Sequence, residues 1–431
     1  MRYRTARPLP LLLGVLIGSL LCACSNSNDA NYAEITTNSE EYWNTKVDYL
    51  PLDDTEYPYA GIPSIVIETV NHLEIRDRET EMPAKLQIWG ENAPESEVMN
   101  LTIRGRGYSS WLYMPKKSYK IKFVDKYSPL GMPENKEWAL ISNYADKSLL
   151  KNTISYGLSE SLKMDYTPQN TFAELYLNKE YMGLYLLVET VKISKTRIDV
   201  PSGTYLVEFD NHNRSKDQTI TTASGMPFTI HAPKNASTEE LKVLKDHLDS
   251  IEDLFSRKTV TDSIISHLFD IESYIKYYWV QEFSKNKDGA FLSSVYFTWI
   301  PNGKIKMGPL WDFDGAYGVN PYLNAKPSSG WLIRNYYWNT KLFKNELFRK
   351  QIKDFWNDHK KQFYSVIDSI DSNSTYISKA VKNNFKRWPI LGQTSDVLHQ
   401  YPYSSYKEVL DTLKNWIRAR NNWINSSFEK Q

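Results

Sequence analysis

The sequence predicts an α+β fold, β-rich in its first half and helical in its second, and three observations carry that prediction. Between residues 58 and 235, short runs of Val, Ile, Tyr, Phe and Thr alternate with polar residues and are bounded by Gly, Pro, Asn and Ser, as strands with one buried face are. From Ser237 onward, apolar residues return instead at three- and four-residue intervals, the period of helices that bury one side. Hydrophobic residues make up 41% of the 431 and aromatics 14%, which furnishes a sizeable core and argues against a disordered chain. A β-rich lobe over residues 58–235 and a helical lobe over 236–431 are therefore expected.

Residues 1–57 read as targeting segment and tether. Arg2, Arg4 and Arg7 precede an apolar stretch over 9–21 that is short for a membrane span. Leu21-Cys22-Ala23-Cys24 resembles a bacterial lipobox, which predicts cleavage and lipidation at Cys24; an ordinary secretory signal cleaved near Ala23 is the alternative. The lipobox reading makes the chain a cell-envelope lipoprotein, anchored to a bacterial membrane outside the cytoplasm by its N-terminal lipid. Residues 25–57, polar at first, read as the tether. Both cysteines lie in the targeting segment, so no disulfide, thiolate nucleophile or cysteine-ligated metal is expected after it.

Strands are expected at 64–69, 85–89, 100–106 and 118–123. In the last, Tyr119, Ile121 and Phe123 take one face and Ser118, Lys120 and Lys122 the other. The turn between the last two contains Gly105, Gly107, Ser109 and Ser110, with Arg104, Arg106, Lys117 and Lys120 around it. Glycines that admit backbone N–H groups, hydroxyls and guanidinium forks make such a turn a candidate anion cradle, although basic residues on a strand face are commonly just solvated. Asp146 or Ser148 suits the cap of a helix over 149–162. A hairpin over 171–189 follows, turning at Asn178-Lys179-Glu180. It carries Glu174 on the face of Phe172 and Tyr176, and Glu189 on the face of Tyr185 and Leu187. An acid on an apolar face is paired with a cation or functional. A strand over 204–209 closes the β-rich part.

In the helical part, Ser237 and Glu240 fit a capping box, and Asp270 caps a helix that ends where the most charged motif begins. Residues 286–318 read as a hairpin turning at Pro301-Asn302-Gly303, a turn type that tolerates positive φ. Folding it back brings Asp288 and Asp312 together, with Asp314 beside them. Gathered carboxylates call for a cation or a proton between them, unless they are simply turn aspartates. Helices over 346–367, 375–385 and 406–427 complete the chain.

The composition excludes several chemistries. Lys+Arg 52 against Asp+Glu 51 gives a net charge of +1, so no dedicated nucleic-acid binder is expected. Seven histidines are scattered without zinc-site spacing, and no Gly-x-Ser-x-Gly elbow exists. Oxygen donors without His or Cys favour Mg²⁺ or Mn²⁺, the metals of phosphoryl transfer. A two-carboxylate glycosidase remains compatible with the same residues.

The segments RGRGYSSW, PKKSYKIKF, LGMPENKEWALISNYADKSLLKN, FAELYLNKEYMGLYLLVE and PLWDFD, in that order, resemble the spore-coat CotH protein kinase family. The resemblance implies an atypical protein-kinase-like fold of two lobes that binds ATP and a divalent metal and transfers phosphate to protein Ser or Thr, here of secreted or envelope proteins. By that pattern Asp288 is the catalytic aspartate, and Asp312, with Asp314, holds Mg²⁺ or Mn²⁺. Lys117 or Lys120 binds phosphate, paired with Glu174 or Glu189, while Arg104, Arg106, Ser109 and Ser110 lie near the phosphates. Where the family often carries a metal-binding asparagine this chain has Ser293 or Ser294, with Asn286 as the substitute ligand. A non-catalytic lipoprotein that binds glycans or envelope partners on the same scaffold is the alternative.

Overall fold

The computed structural model describes residues 39–211, 218–257, 259–318, 324–394 and 401–429. The expected targeting segment with Cys24, and the start of the tether, lie outside the described residues. From Ser39 the presumed tether is packed. Tyr42 and Trp43, in the helix Ser39–Asn44, donate to the carbonyls of Glu68 and Leu101 at 3.1 and 3.2 Å, and Leu50 is buried. Three large apolar side chains in a polar stretch were enough to dock it.

Seven strands, several of them buried on both faces, roll into a closed barrel: β1 (Ser64–Thr69), β2 (Met82–Trp89), β3 (Met99–Arg106), β4 (Ser118–Tyr127), β5 (Asn135–Ile141), β6 (Asn170–Leu177) and β7 (Glu180–Glu189). Their order is β1-β2-β3-β4-β5-β7-β6, and parallel pairing of β6 with β1, Ile65 opposite Leu175, closes the ring. Here the structure departs from expectation, because a closed barrel is not the standard β-lobe of a protein kinase. Closure leaves no edge strand unpaired. It depends on a parallel pairing across about a hundred residues, which local alternation cannot announce. Leu86, Leu101, Tyr119, Ile121, Phe123, Trp138, Leu175, Tyr185 and Leu187 fill the interior. On β7 the alternate residues Leu184, Leu186 and Val188 point out of the barrel and join the core of the second half.

That second half is built on a five-stranded sheet of order β12-β11-β8-β10-β9, made of β8 (Tyr205–Phe209), β9 (Gln218–Thr221), β10 (Pro227–Ala232), β11 (Val295–Trp299) and β12 (Lys306–Met307). Strands β8 to β10, which the sequence grouped with the β-rich lobe, thus pair with the aspartate-bearing hairpin. The attraction is aromatic: Phe228 packs edge-on against both Phe209 and Phe297, at 5.4 and 5.9 Å between centroids. The hairpin turn forms as its sequence dictates, with Asn302 at φ +65° and Met307 opposite Phe297.

The helix Thr238–Ser256 opens with the expected capping box, Ser237 and Glu240 bonding each other's backbone N–H. Helices Asp262–Leu268, Ile271–Ser284, Glu346–Tyr364, Val366–Tyr376, Ser378–Arg387 and Tyr406–Glu429 follow, and the second, third and last of these meet at Trp279, Trp356, Phe363 and Phe428. The helix Ser378–Arg387 fastens the two halves together. Asn384 there accepts from the Leu184 N–H at 3.1 Å and from the buried Lys116 ammonium at 2.8 Å. Among the described residues no helix is long and apolar enough to cross a membrane.

Candidate active site

A cleft of about 280 Å³ lies where the end of the barrel meets the β11–β12 hairpin, and six expected residues line it: Arg106, Ser109, Ser110, Asp288, Asp312 and Asp314. Asp288 is delivered by the helix Ile271–Ser284. Asp270 caps its start, accepting from the Ser273 N–H at 2.9 Å, and Lys285 ends it in the left-handed conformation with φ +48°. The Lys285 ammonium then donates to the carbonyls of Pro327 and Ser329, at 2.8 and 2.7 Å. Asn286 accepts from the Asp288 N–H at 3.3 Å, and the Asp288 carbonyl accepts from the N–H groups of Leu292 and Ser293. At Gly289 a Cβ would stand 2.3 Å from the Gln281 carboxamide, so any larger residue requires that side chain or the loop to shift.

Asp312 and Asp314 follow β12 through Leu310 and Trp311. Asp312 sits at φ +63°, a strained region that aspartate tolerates better than most residues. Three buried side chains each grip one backbone group of three consecutive residues in this turn. Asn286 donates to the Asp312 carbonyl at 2.9 Å. Asn152 accepts from the Phe313 N–H at 2.9 Å. Lys151 donates to the Asp314 carbonyl at 2.8 Å, with Asp146 4.0 Å from its ammonium. Burial, then the neighbouring Asp312 charge, push the Asp314 carboxyl up to about 7, while burial pulls the Lys151 ammonium down.

The opposite wall is the glycine–serine turn, which forms a short helix, Ser109–Tyr113. Gly107 enters it at φ +83°, and Ser110 donates to the Arg106 carbonyl at 3.2 Å. The Arg106 guanidinium lies 4.7 Å above the Trp311 ring, which fixes a cation at the cleft beside Asp312.

The remaining expected residues stand outside the lining. Arg104 pairs with Glu81 at 3.2 Å and donates to the Arg78 carbonyl. Lys117 donates to the Trp111 carbonyl. Lys120 pairs with Glu137 rather than with either proposed glutamate, at 2.6 Å. Glu174 accepts from Tyr181 at 2.6 Å and Asn383 at 3.0 Å, and Glu189 from Tyr166 at 2.9 Å, with Arg197 at 3.7 Å. Burial raises both of these carboxyls. Both amide ends of Asn286 are occupied with backbone. Sequence reasoning passed over Lys151 and Asn152, which it read only as part of a helix start, and over Asn143, which lines the cleft and accepts from Asn152 at 3.1 Å.

Among the described residues no group of three or more His, Cys, Asp and Glu is arranged to hold a metal ion. The donor set fits a hard cation all the same. Asp312 and Asp314 offer only oxygen, and Mg²⁺ characteristically takes one or two carboxylates, with waters and substrate phosphates completing its shell. Burial and the Asp312 charge raise the Asp314 carboxyl even with the Lys151 ammonium close by. No curated protein matches the chain. The family described as CotH kinase protein matches residues 103–424, from the middle of β3 to the C-terminal helix, and the chain belongs to that family.

Proposed function

We propose that the chain is an ATP- and divalent-metal-dependent phosphotransferase that modifies Ser or Thr of secreted or envelope proteins. The observation that carries this reading is the meeting of Asp288, Asp312 and Asp314 with the Arg106 guanidinium in one cleft, within a chain of the CotH kinase family. Asp288 stands on the loop after a helix and Asp312 after the next hairpin, the order in which kinases carry the catalytic and the metal aspartates.

In this reading Asp288 orients the acceptor hydroxyl and takes its proton as the oxygen attacks the γ-phosphorus, whose bond to the bridging oxygen breaks to release ADP. Asp312 and Asp314 hold Mg²⁺ or Mn²⁺, which when bound neutralises charge on the transferring phosphoryl group. Arg106, immobilised on Trp311, the Ser109 hydroxyl and the N–H groups of Ser109 and Ser110 bind phosphate oxygens. Lys117, Lys120, Glu174 and Glu189 take structural parts in the barrel, and Asn286 braces the metal turn. The lipobox supports an anchored envelope protein, modified at Cys24, as the setting.

The test is incubation of the mature chain with γ-labelled ATP, Mg²⁺ or Mn²⁺ and a generic protein acceptor, beside a nucleotide thermal-shift assay. Label in the acceptor or in the chain itself, with a nucleotide- and metal-dependent rise in Tm, supports the reading. Neither label nor shift overturns it.

A further inference from the structure

The hydrogen bonds to residues 312–314 form a pattern that the aspartates alone do not explain. One backbone group from each of three consecutive residues, the Asp312 carbonyl, the Phe313 N–H and the Asp314 carbonyl, is held by a different buried side chain from outside the turn. We propose that Lys151 and Asn152 are positioning residues that set the spacing and aim of the Asp312 and Asp314 carboxylates toward a divalent cation. This rests on the metal-dependent reading of the same cleft.

Two physical arguments support it. A turn with a residue at φ +63° opposes its own geometry and persists only where its surroundings over-determine it. Lys151 and Asn152 open the helix Lys151–Ser161 and supply that constraint from it, Asn152 holding the Phe313 N–H and Lys151 the Asp314 carbonyl. Secondly, Lys151 is an ammonium only 2% exposed, where an apolar residue of the same volume would be the stabilising choice for packing. What the ammonium adds is a positive charge behind two crowded carboxylates. That charge offsets part of their mutual repulsion.

The brace is itself anchored from a distance. Asp146 accepts from the backbone N–H groups of Lys151 and Ser148 at 3.0 and 2.9 Å. The Tyr406 hydroxyl, on the last helix, donates to the Ser148 carbonyl at 2.8 Å. The Lys147 ammonium donates to the carbonyls of Gln393 and Tyr401 at 2.6 and 2.8 Å. The C-terminal part of the chain thereby fixes the helix start that fixes the metal turn.

Isothermal titration with Mn²⁺ in the presence of a non-hydrolysable ATP analogue tests this, using the mature chain, Lys151→Met, Asn152→Ala and Asp312→Asn. Because Lys151→Met leaves Asp146 charged and buried, the double variant Asp146→Asn/Lys151→Met is measured as well. It removes both charges and decides the matter if the single variant does not fold. Folded variants of Lys151 and Asn152 are expected to bind Mn²⁺ about 10–100-fold more weakly, as outer-shell changes typically do, with circular dichroism unchanged. Parental Mn²⁺ affinity in folded Lys151→Met, or in the double variant, overturns the proposal and leaves the phosphotransferase reading standing. Failure of the parental chain to bind Mn²⁺, or binding that survives Asp312→Asn, overturns the metal site and the proposal with it. Normal Mn²⁺ binding that depends on Lys151, without any phosphoryl transfer, upholds the proposal and sinks the proposed reaction.

Discussion

The ammonium of Lys120 stands 2.6 Å from a carboxylate oxygen of Glu137, and the Lys192 ammonium holds the other oxygen at 2.8 Å. Burial works against the Glu137 charge, but the two ammoniums outweigh it and bring the carboxyl down to about 2. Lys120 is thus a clamp between β4 and β5, on the face opposite the barrel interior. The Lys120→Met variant is expected to lose about 1 kcal/mol of stability, as partly exposed ion pairs do. Its ATP affinity, read by thermal shift at graded nucleotide, stays near the parental value. A collapse of nucleotide binding in folded Lys120→Met would restore it as the phosphate-binding lysine.

Glu282 and Arg420, both fully buried, meet at 2.8 Å and tie the helix that delivers Asp288 to the last helix of the chain. Arg420 also donates to the carbonyls of Glu282, Ser328 and Gly330. Replacing it by Met leaves a buried carboxylate without its cation and should cost roughly 3–5 kcal/mol in urea unfolding. A loss under 1 kcal/mol would show that water reaches Glu282 and that the pair is dispensable.

His247 stacks on Trp299 with centroids 4.2 Å apart, and its Nε2 is buried with no hydrogen-bond partner. Burial, helped by His267, depresses its pKa to about 4 from an ordinary 6.5. The native state resists the proton that the unfolded chain takes up. Stability from this group is therefore complete above pH 6.5 and drains away as pH falls toward 4. In His247→Phe, which keeps the stack, the slope of stability against pH between those values should flatten. An unchanged slope would assign the acid sensitivity elsewhere.

Gly289→Ala probes the aim of Asp288. The new methyl meets the Gln281 carboxamide, so the loop or that side chain shifts while the helix behind it stays intact. Transfer is expected to fall by ten-fold or more, since small misplacements of reacting groups are costly, with Tm changing little. Parental turnover would show that the loop has slack that the packing does not suggest.

Local chemistry made much of this molecule legible in the sequence. The caps at Ser237 and Asp270, the turn at Asn302-Gly303 and the alternation in β4 each depend on neighbours within a few residues, and each formed as read. So did the gathering of Asp288 and Asp312, because a hairpin enforces it. What escaped depended on distant partners. Barrel closure rests on β6 finding β1, and the regrouping of β8 to β10 on Phe228 finding Phe297. Lys151 and Asn152 were invisible as site residues for the same reason: their partners in the 312–314 turn lie some 160 positions away. Lys120 and Glu189 misled because charge and strand parity say which face a side chain takes, not which cleft lies there.

The most direct test of the phosphotransferase reading is single-turnover transfer from labelled ATP with Mg²⁺, comparing the mature chain with Asp288→Asn at matched nucleotide occupancy. Loss of the catalytic base should slow transfer by about 10²–10⁴-fold while nucleotide affinity changes less than about twofold. Transfer by Asp288→Asn at the parental rate would contradict the account.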